Sequence, residues 1–426
     1  MIDFAQHRLK IFLAIAIFIA SATFLAIKFA QGYRFDFSHR TLRPTGLLVA
    51  TSNPRGAQVF INGELKTATD NTLSLAPGEY LIEIKKNAFY PWQKKLIIKK
   101  ELVTQADAFL FPQVPDLKPL TFNEVQNPQL SYDGSKIVYS VPLPHPEAGL
   151  WVMDLTDFLF NIGREPRQIA QTRSRTRDFS QATYFWSLDS KQIVVEFAQP
   201  PEKLLLDASQ LNSALNLKDI SSSWPEIVEN WFEEDHLRQE AKLKKLAEAL
   251  QEILKENAKE IEFSPDGTKV LYIATGSAEI PEKLLPPVLV SSTQPETRTL
   301  EPNKIYVYDL KEDRNFLLPF ELPQPSPTPL PTKKALKVTP TPTPYQLVPP
   351  NSQKPCWFPT SQHLYWLAEN KVLVCEYDGT NLTTIYSGPM IIPYVFAAPG
   401  ANKLIILTQL NLDPEAKPNL YAVSLR

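Results

Sequence analysis

Ser264 and Asp266 stand two residues apart in Ser264-Pro265-Asp266-Gly267, a short polar stretch between two apolar runs. That spacing suits two chemistries. A carboxylate beside a hydroxyl is half of an activated nucleophile, and an exposed aspartate is an oxygen ligand for a metal. It also suits a hairpin corner, where aspartate accepts backbone N–H groups and glycine takes positive φ. Other chemical groups are sparse. The five histidines, His7, His39, His145, His236 and His363, have no metal-ligand spacing to one another or to a cysteine. There is no Gly-x-Ser-x-Gly elbow, Walker loop or His-Glu-x-x-His. Glu233 and Glu234 lie in a helical pattern, where carboxylates are ordinarily solvated.

Repetition separates these readings. "NPQLSYDGSKIVYSV", "YFWSLDSKQIVVEFA", "IEFSPDGTKVLYIA", "CWFPTSQHLYWLAEN" and "YVFAAPGANKLIILTQ" share one order: apolar strand, polar corner, second apolar strand. Read along these units, the place of Asp266 is taken by Asp133, Asp189, Gln362 and Ala401. A catalytic group would not be copied into some units and dropped from others, whereas a corner residue can vary. Asp133, Gly134, Asp189, Asp266 and Gly267 are therefore expected to be structural, as are Asp378 and Gly379 in the turn that ends "KVLVCEYDGTN". No catalytic, metal or cofactor-binding residue is assigned, no cofactor is expected, and ligand-binding residues stay unassigned.

The elements that carry these corners are short strands in repeated units, the pattern of a β-propeller. Five units favour five blades over residues 117–426. The distances between corners are uneven, which requires insertions. One, residues 222–258, is helical. Ser223 and Glu226 have capping-box spacing, and Leu243, Leu246, Leu250 and Ile253 form one stripe. The stripe suits either a short coiled coil with a partner or, since only two heptads are present, packing on the protein's own sheets. The other, residues 321–350, is proline-rich and is expected to be a disordered loop. The last unit is one strand short. Leu117–Phe122 is expected to supply it by pairing with the strand around Leu420–Leu425, Pro119 suiting an edge position.

The N-terminal third has a different pattern. Ile11 to Ile27 carries no charge. After a short tail (1–10), residues 11–30 are long enough to span a bilayer, followed by a polar stalk (31–45). A signal peptide cleaved after Ala20-Ser21-Ala22 is the rival reading, but the apolar run continues beyond that site. Residues 46–112 alternate apolar and polar, as half-buried strands do, and Asn62-Gly63 is a strong hairpin signal. They read as a small antiparallel sandwich.

Within that segment Pro54, Gly56-Ala57, Asn62-Gly63 and Pro77-Gly78-Glu79-Tyr80 resemble the PEGA domain over nearly its whole length. "TATDN" replaces the usual Thr-Pro after Asn-Gly, and "NAFYPW" the usual Gly-Tyr, keeping Tyr90. The resemblance implies an envelope protein and a carbohydrate-binding or surface-layer module without catalytic residues. The repeated corners resemble TolB-like, WD-related propellers, which implies a docking surface for a protein.

Net charge is −2 with a pI near 6.3, so no basic face for nucleic acid is indicated. The expected protein is mainly β, membrane-anchored and extracytoplasmic, and not an enzyme. Its small module would meet cell-wall or surface-layer polysaccharide and its propeller a protein. The alternatives are a sensor or assembly subunit recruiting a chain through the helical insertion, and a glycosidase with two carboxylates on a propeller face. Cys356 and Cys375 fall on the first and third strands of one unit. At 4.7 to 4.9 Å per strand, about 9 to 10 Å separates them, too far for a disulfide.

Overall fold

The computed structural model describes residues 2–30, 33–36, 41–156, 165–213, 217–285, 294–320, 354–410 and 417–426. Met1–Phe111 make the body of one compact unit, and Pro112–Val288 with Glu296–Arg426 make a second.

In the first unit α1 runs from Ile2 to Ala30. The residues read as a tail are thus helical too, because neither proline nor glycine interrupts residues 2–30. Its apolar window, Lys10–Phe29, has mean hydropathy 2.3 and no buried side chain. The expected stalk holds a hairpin, β1 (Tyr33–Asp36) paired antiparallel with β2 (Thr41–Pro44). Seven strands follow: β3 (Gly46–Asn53), β4 (Gln58–Ile61), β5 (Glu64–Ala68), β6 (Asn71–Leu75), β7 (Gly78–Lys85), β8 (Trp92–Ile98) and β9 (Val103–Phe109). They form two sheets, ordered β6-β3-β9 and β5-β4-β7-β8. Alternation puts Leu48, Ala50, Val59, Ile61, Ile82, Ile84, Leu96 and Ile98 between the sheets. One expectation fails here. The sandwich is not wholly antiparallel, since β3 and β9 pair in parallel, Leu47 opposite Val103 through Asn53 opposite Phe109. Period-2 patterning reports faces and carries no information on strand direction.

The second unit is built on five four-stranded sheets among the described residues. The first comprises Gln126–Leu130, Lys136–Val141, Gly149–Asp154 and Arg167–Gln171; the second Thr183–Trp186, Gln192–Ala198, Pro201–Asp207 and Lys218–Asp219. The third comprises Ala258–Phe263, Lys269–Ala274, Ile305–Asp309 and Arg314–Leu317; the fourth Cys356–Trp357, His363–Ala368, Lys371–Glu376 and Thr383–Ser387. Each is an antiparallel meander in chain order. The fifth is not: Val395–Ala397, Lys403–Thr408 and Asn419–Ser424 are completed by Leu117–Pro119. Leu117 lies opposite Val423 and Pro119 opposite Tyr421, as the missing strand required. Hydrogen bonds from Leu120 N–H to Leu420 O and from Ser424 N–H to Asp116 O, each 2.8 Å, extend the join.

Neighbouring sheets bury apolar faces against each other. Ile137 and Tyr139 of the first share a core with Phe396, Ile405 and Leu420 of the fifth. Val138 and Val152 pack with Tyr184, Trp186 and Val195 of the second. Leu271 and Val307 of the third pack with Leu364, Trp366 and Cys375 of the fourth.

The helical insertion is two helices, α2 (Trp224–Leu243) and α3 (Glu248–Asn257). Trp224, Ile227 and Trp231 of α2 cover Phe185 and Val194 of the second sheet. Leu246, Leu250 and Leu254 cover Val270, Tyr272, Tyr306 and Tyr308 of the third, with Leu243 and Ile253 at the margin. The leucine stripe is thus occupied within the chain, which overturns the coiled-coil reading. Ser223 precedes α2, but its side chain makes no cap hydrogen bond. Its hydroxyl donates instead to Ile220 O, and Pro225 in the first turn leaves one fewer N–H to cap. The proline-rich segment 321–350 lies outside the described residues.

Candidate functional site: the sheet corners and the small β-module

Each of the five sheets turns its first corner with the same backbone hydrogen bonds. The N–H of Ser131, Ser187, Ser264, Phe358 and Ala398 donates to the carbonyl of Lys136, Gln192, Lys269, His363 and Lys403, at 2.8 to 3.1 Å. A second bond, at 2.8 to 3.0 Å, returns from the fourth corner residue to the first. That fourth residue is Gly134, Ser190, Gly267, Ser361 or Ala401, and φ there is +70°, +55°, +69°, +58° and +52°. Only two of the five are glycine, so the left-handed conformation is set by the corner and not by residue type. These bonds also correct the phase of the last two repeats. The position of Asp266 is filled by Thr360 and Gly400, not by Gln362 and Ala401. Neither unit has an aspartate in its corner or a glycine at the fourth corner position, and without them the side-chain types gave no fixed phase.

The carboxylates are held inside their own turns. Asp133 Oδ1 accepts from Ser131 Oγ at 2.7 Å and Ser135 N–H at 3.0 Å. Asp189 Oδ1 accepts from Ser187 Oγ at 2.6 Å and Lys191 N–H at 3.1 Å. Asp266 Oδ1 accepts from Ser264 Oγ at 2.7 Å and Thr268 N–H at 3.0 Å. Each serine oxygen in turn accepts a backbone N–H, from Lys136, Gln192 or Lys269. The Ser–Asp pair is therefore a corner brace, with the hydroxyl hydrogen committed to a carboxylate that titrates below its ordinary range. Burial raises the Asp266 pKa, and the hydrogen bonds from Ser264 and Thr268 together with Lys269 outweigh it. Asp133 follows the same balance. At Asp189 the Ser187 hydroxyl is the main cause of the lowering. Asp378 and Gly379 lie in a different corner, between the third and fourth strands of the fourth sheet. There Asp378 Oδ1 accepts from Thr380 Oγ1 at 2.6 Å, and Gly379 has φ +80°. Among the described residues no group of three His, Cys, Asp or Glu is placed to hold a metal ion.

Three contacts at the corners had no sequence signal. Asp133 N–H donates to Ser190 Oγ of the next sheet, and Asp266 N–H to Ser361 Oγ, both at 3.0 Å. Tyr132 Oη donates to Asp235 Oδ1 at 2.6 Å, which ties α2 to the first corner and explains why Asp235 is buried in an otherwise polar helix.

In the small module the motif residues shape turns. Gly56 has φ +70° beside Pro54, and the Asn62-Gly63 pair takes φ +50° and +83°. Asn62 Oδ1 accepts the Leu81 N–H at 2.9 Å, joining the turn to β7. Ala57 is fully buried; its N–H donates to Thr69 Oγ1 and its carbonyl accepts the Thr69 N–H. Thr69 lies in the stretch that departs from the family pattern, and its hydroxyl is also 2.5 Å from Ser52 Oγ. Gly78, following Pro77, pairs with Ile98, and Tyr80 Oη donates to Ala76 O at 3.0 Å. Residues 45–112 match the PEGA domain. The outward face of the PEGA sheet β5-β4-β7-β8 carries Phe60, Leu81 and Ile97, each half-buried. They are flanked by the ion pairs Lys85–Glu83 (2.7 Å) and Lys95–Glu79 (3.0 Å), with Lys85 Nζ 5.0 Å from the Phe60 ring centre.

Solved structures similar to the chain include the TolB-type protein of Agrobacterium tumefaciens, at 10% identity, covering 68% of this chain and 76% of that one, with TM-score 0.21. TolB from Acinetobacter baumannii is also 10% identical, covering 81% and 60%, with TM-score 0.21. The CNH domain of AfRom2 covers 73% and 100% at 10% identity, with TM-score 0.26. No curated protein matches the sequence.

Proposed function

We propose that this chain is a membrane-anchored, non-catalytic protein of the cell envelope, whose PEGA module contacts wall or surface-layer polymer and whose propeller docks a protein. The observation that carries the binding reading is the outward PEGA face. A half-buried aromatic ring with a lysine near it, on one sheet face with two aliphatic side chains and two ion pairs, is a surface for stacking on a sugar ring while the charged groups make polar contacts. The non-catalytic reading is supported by the corners, where each Ser–Asp pair is bonded into its own turn. The anchoring reading is supported by α1, whose apolar window is as long as a hydrocarbon core is thick.

Full-length protein in mild detergent should sediment with purified cell-wall material, and Phe60→Ala should weaken that sedimentation about tenfold. Equal sedimentation of variant and parent would remove this face from the reading; no sedimentation of either would remove the polymer. The anchor is tested separately by membrane fractionation in high salt, where a mature N-terminus at Thr23 would refute it. A second reading, an assembly subunit working through the helical insertion, is supported by Phe232 and Leu237 on α2, which are 61% and 56% exposed. Phe232→Ser with Leu237→Ser should then abolish any self-association or partner capture.

A further inference from the structure

Lys269 opens the second strand of the third sheet, Asp309 closes the third strand, and the register sets them opposite each other. Their side chains are only 3% and 4% exposed, and Lys269 Nζ lies 4.0 Å from Asp309 Oδ2. That is too long for a hydrogen bond. The ammonium donates instead to Thr268 Oγ1, at 3.3 Å, and faces the Tyr377 ring, whose centre is 4.5 Å away. Burial holds the Lys269 pKa below the usual lysine range, against the pull of Asp309 and Asp266. Asp309 Oδ1 accepts the N–H groups of Lys311, at 2.7 Å, and of Glu312, at 3.0 Å. Two charges held out of water without a direct hydrogen bond between them are costly, and an amide in their place carries neither. The first sheet has the same pair at the same position, Lys136 opposite Asp154, but disperses it. Arg167 Nη2 donates to Asp154 Oδ2 at 3.1 Å, and the half-buried Lys136 donates to Ser190 O at 3.2 Å.

We propose that Lys269 and Asp309 join in an intramolecular isopeptide bond, Lys269 Nζ to Asp309 Cγ, formed within the folded chain. Proton transfer from the ammonium to Oδ2 gives a neutral amine and a neutral acid, the forms that a site closed to water promotes. A desolvated lysine amine is a competent nucleophile. Attack needs ~3 to 3.5 Å between the reacting atoms, and the flexible lysine stem supplies the movement. Nζ attacks Cγ, and the negative charge that develops on Oδ1 meets the N–H groups of Lys311 and Glu312. The Cγ–Oδ2 bond then breaks. Oδ2 leaves as water with two of the three ammonium protons, and the third stays on the amide nitrogen. The bond fastens the two strands between which residues 275–304 are inserted, so that excursion is closed covalently at its base.

The test is mass spectrometry of full-length protein, purified in the folded state and then denatured and digested. The digest should contain a branched peptide that joins the Lys269 segment to the Asp309 segment and is lighter than their sum by one water molecule. Asp309→Asn keeps the shape of the side chain and releases ammonia in place of water, so its branched peptide should have the same mass as the parent's. Lys269→Met should lose the branched peptide, and Lys136→Met should keep it. Separate, full-mass Lys269 and Asp309 peptides from the parent protein overturn the proposal. So does a linear Asp309 peptide lighter by one water, the mark of a succinimide, or a water loss that persists in Lys269→Met.

Discussion

Asp266 and Ser361 are 95 residues apart in sequence, yet the Asp266 N–H donates to the Ser361 hydroxyl at 3.0 Å. Asp133 and Ser190 repeat the contact between the first and second sheets. One corner residue thus does two jobs. Its backbone takes the positive φ that closes its own turn, and its side chain holds the corner of the sheet before it.

Ser361→Ala keeps the backbone strain and loses the bridge. It should lower stability by about 1 kcal/mol or somewhat more, the usual cost of leaving an N–H without its partner. Ser190→Ala should behave alike. Ala401→Gly has strain to relieve and no bridge to lose, so it should raise stability by about 0.5 to 1 kcal/mol. Urea titration of the three variants checks the opposite signs.

The corner carboxylates make the second unit sensitive to acid. The folded-state pKa values of Asp133, Asp189 and Asp266 are lowered. Their contribution is therefore fully present above the ordinary aspartate range, near 3.9, and is lost as pH falls through the lowered values. Asp266→Asn should flatten the acid limb of a stability–pH curve by lowering the neutral plateau, while stability below the lowered pKa changes little. An unchanged acid limb would show that these groups do not govern it.

Asn419–Ser424 pairs with Lys403–Thr408 on one side and Leu117–Pro119 on the other. Deleting residues 419–426 should abolish the cooperative transition of the whole second unit, because two strands lose their partner and Leu420 leaves a shared core. A truncated protein with a cooperative transition at the parent midpoint would mean that the join does not hold the unit closed.

Cys356 and Cys375 are both free thiols. Cys356 opposes Tyr365, and Cys375 opposes Leu364 on the other side of the same strand, so one strand separates them. Burial pushes the Cys356 thiol up to about 12 and the Cys375 thiol well above its ordinary value. Native protein should therefore react slowly with thiol reagents at pH 8 and yield two thiols once unfolded. A Cys356–Cys375 bridge in unreduced protein would refute the strand order.

Leu254→Ala, at the centre of the contact between α3 and the third sheet, should cost about 2 to 5 kcal/mol. Phe232→Ser, on the exposed side of α2, should change stability by no more than about 0.5 kcal/mol. Reversed magnitudes in thermal denaturation would mean that α2, not α3, fastens the insertion.

Features that depend on near neighbours in the chain could be read from residue order: the apolar span, the period-2 strands, the Asn62-Gly63 turn, and the Ser–Asp braces whose partners lie within five residues. Even the closing strand was legible, because the last unit was one strand short and Leu117–Phe122 was unassigned. Tertiary structure alone decided the parallel pairing of β3 with β9, the phase of the corners at Thr360 and Gly400, and the Ser190, Ser361 and Asp235 contacts. Those residues are serines and an aspartate with no local pattern to mark them, and their partners stand 57 to 103 residues away in the chain. A hydrogen bond between such residues depends on where whole sheets come to rest, and no local spacing encodes that position.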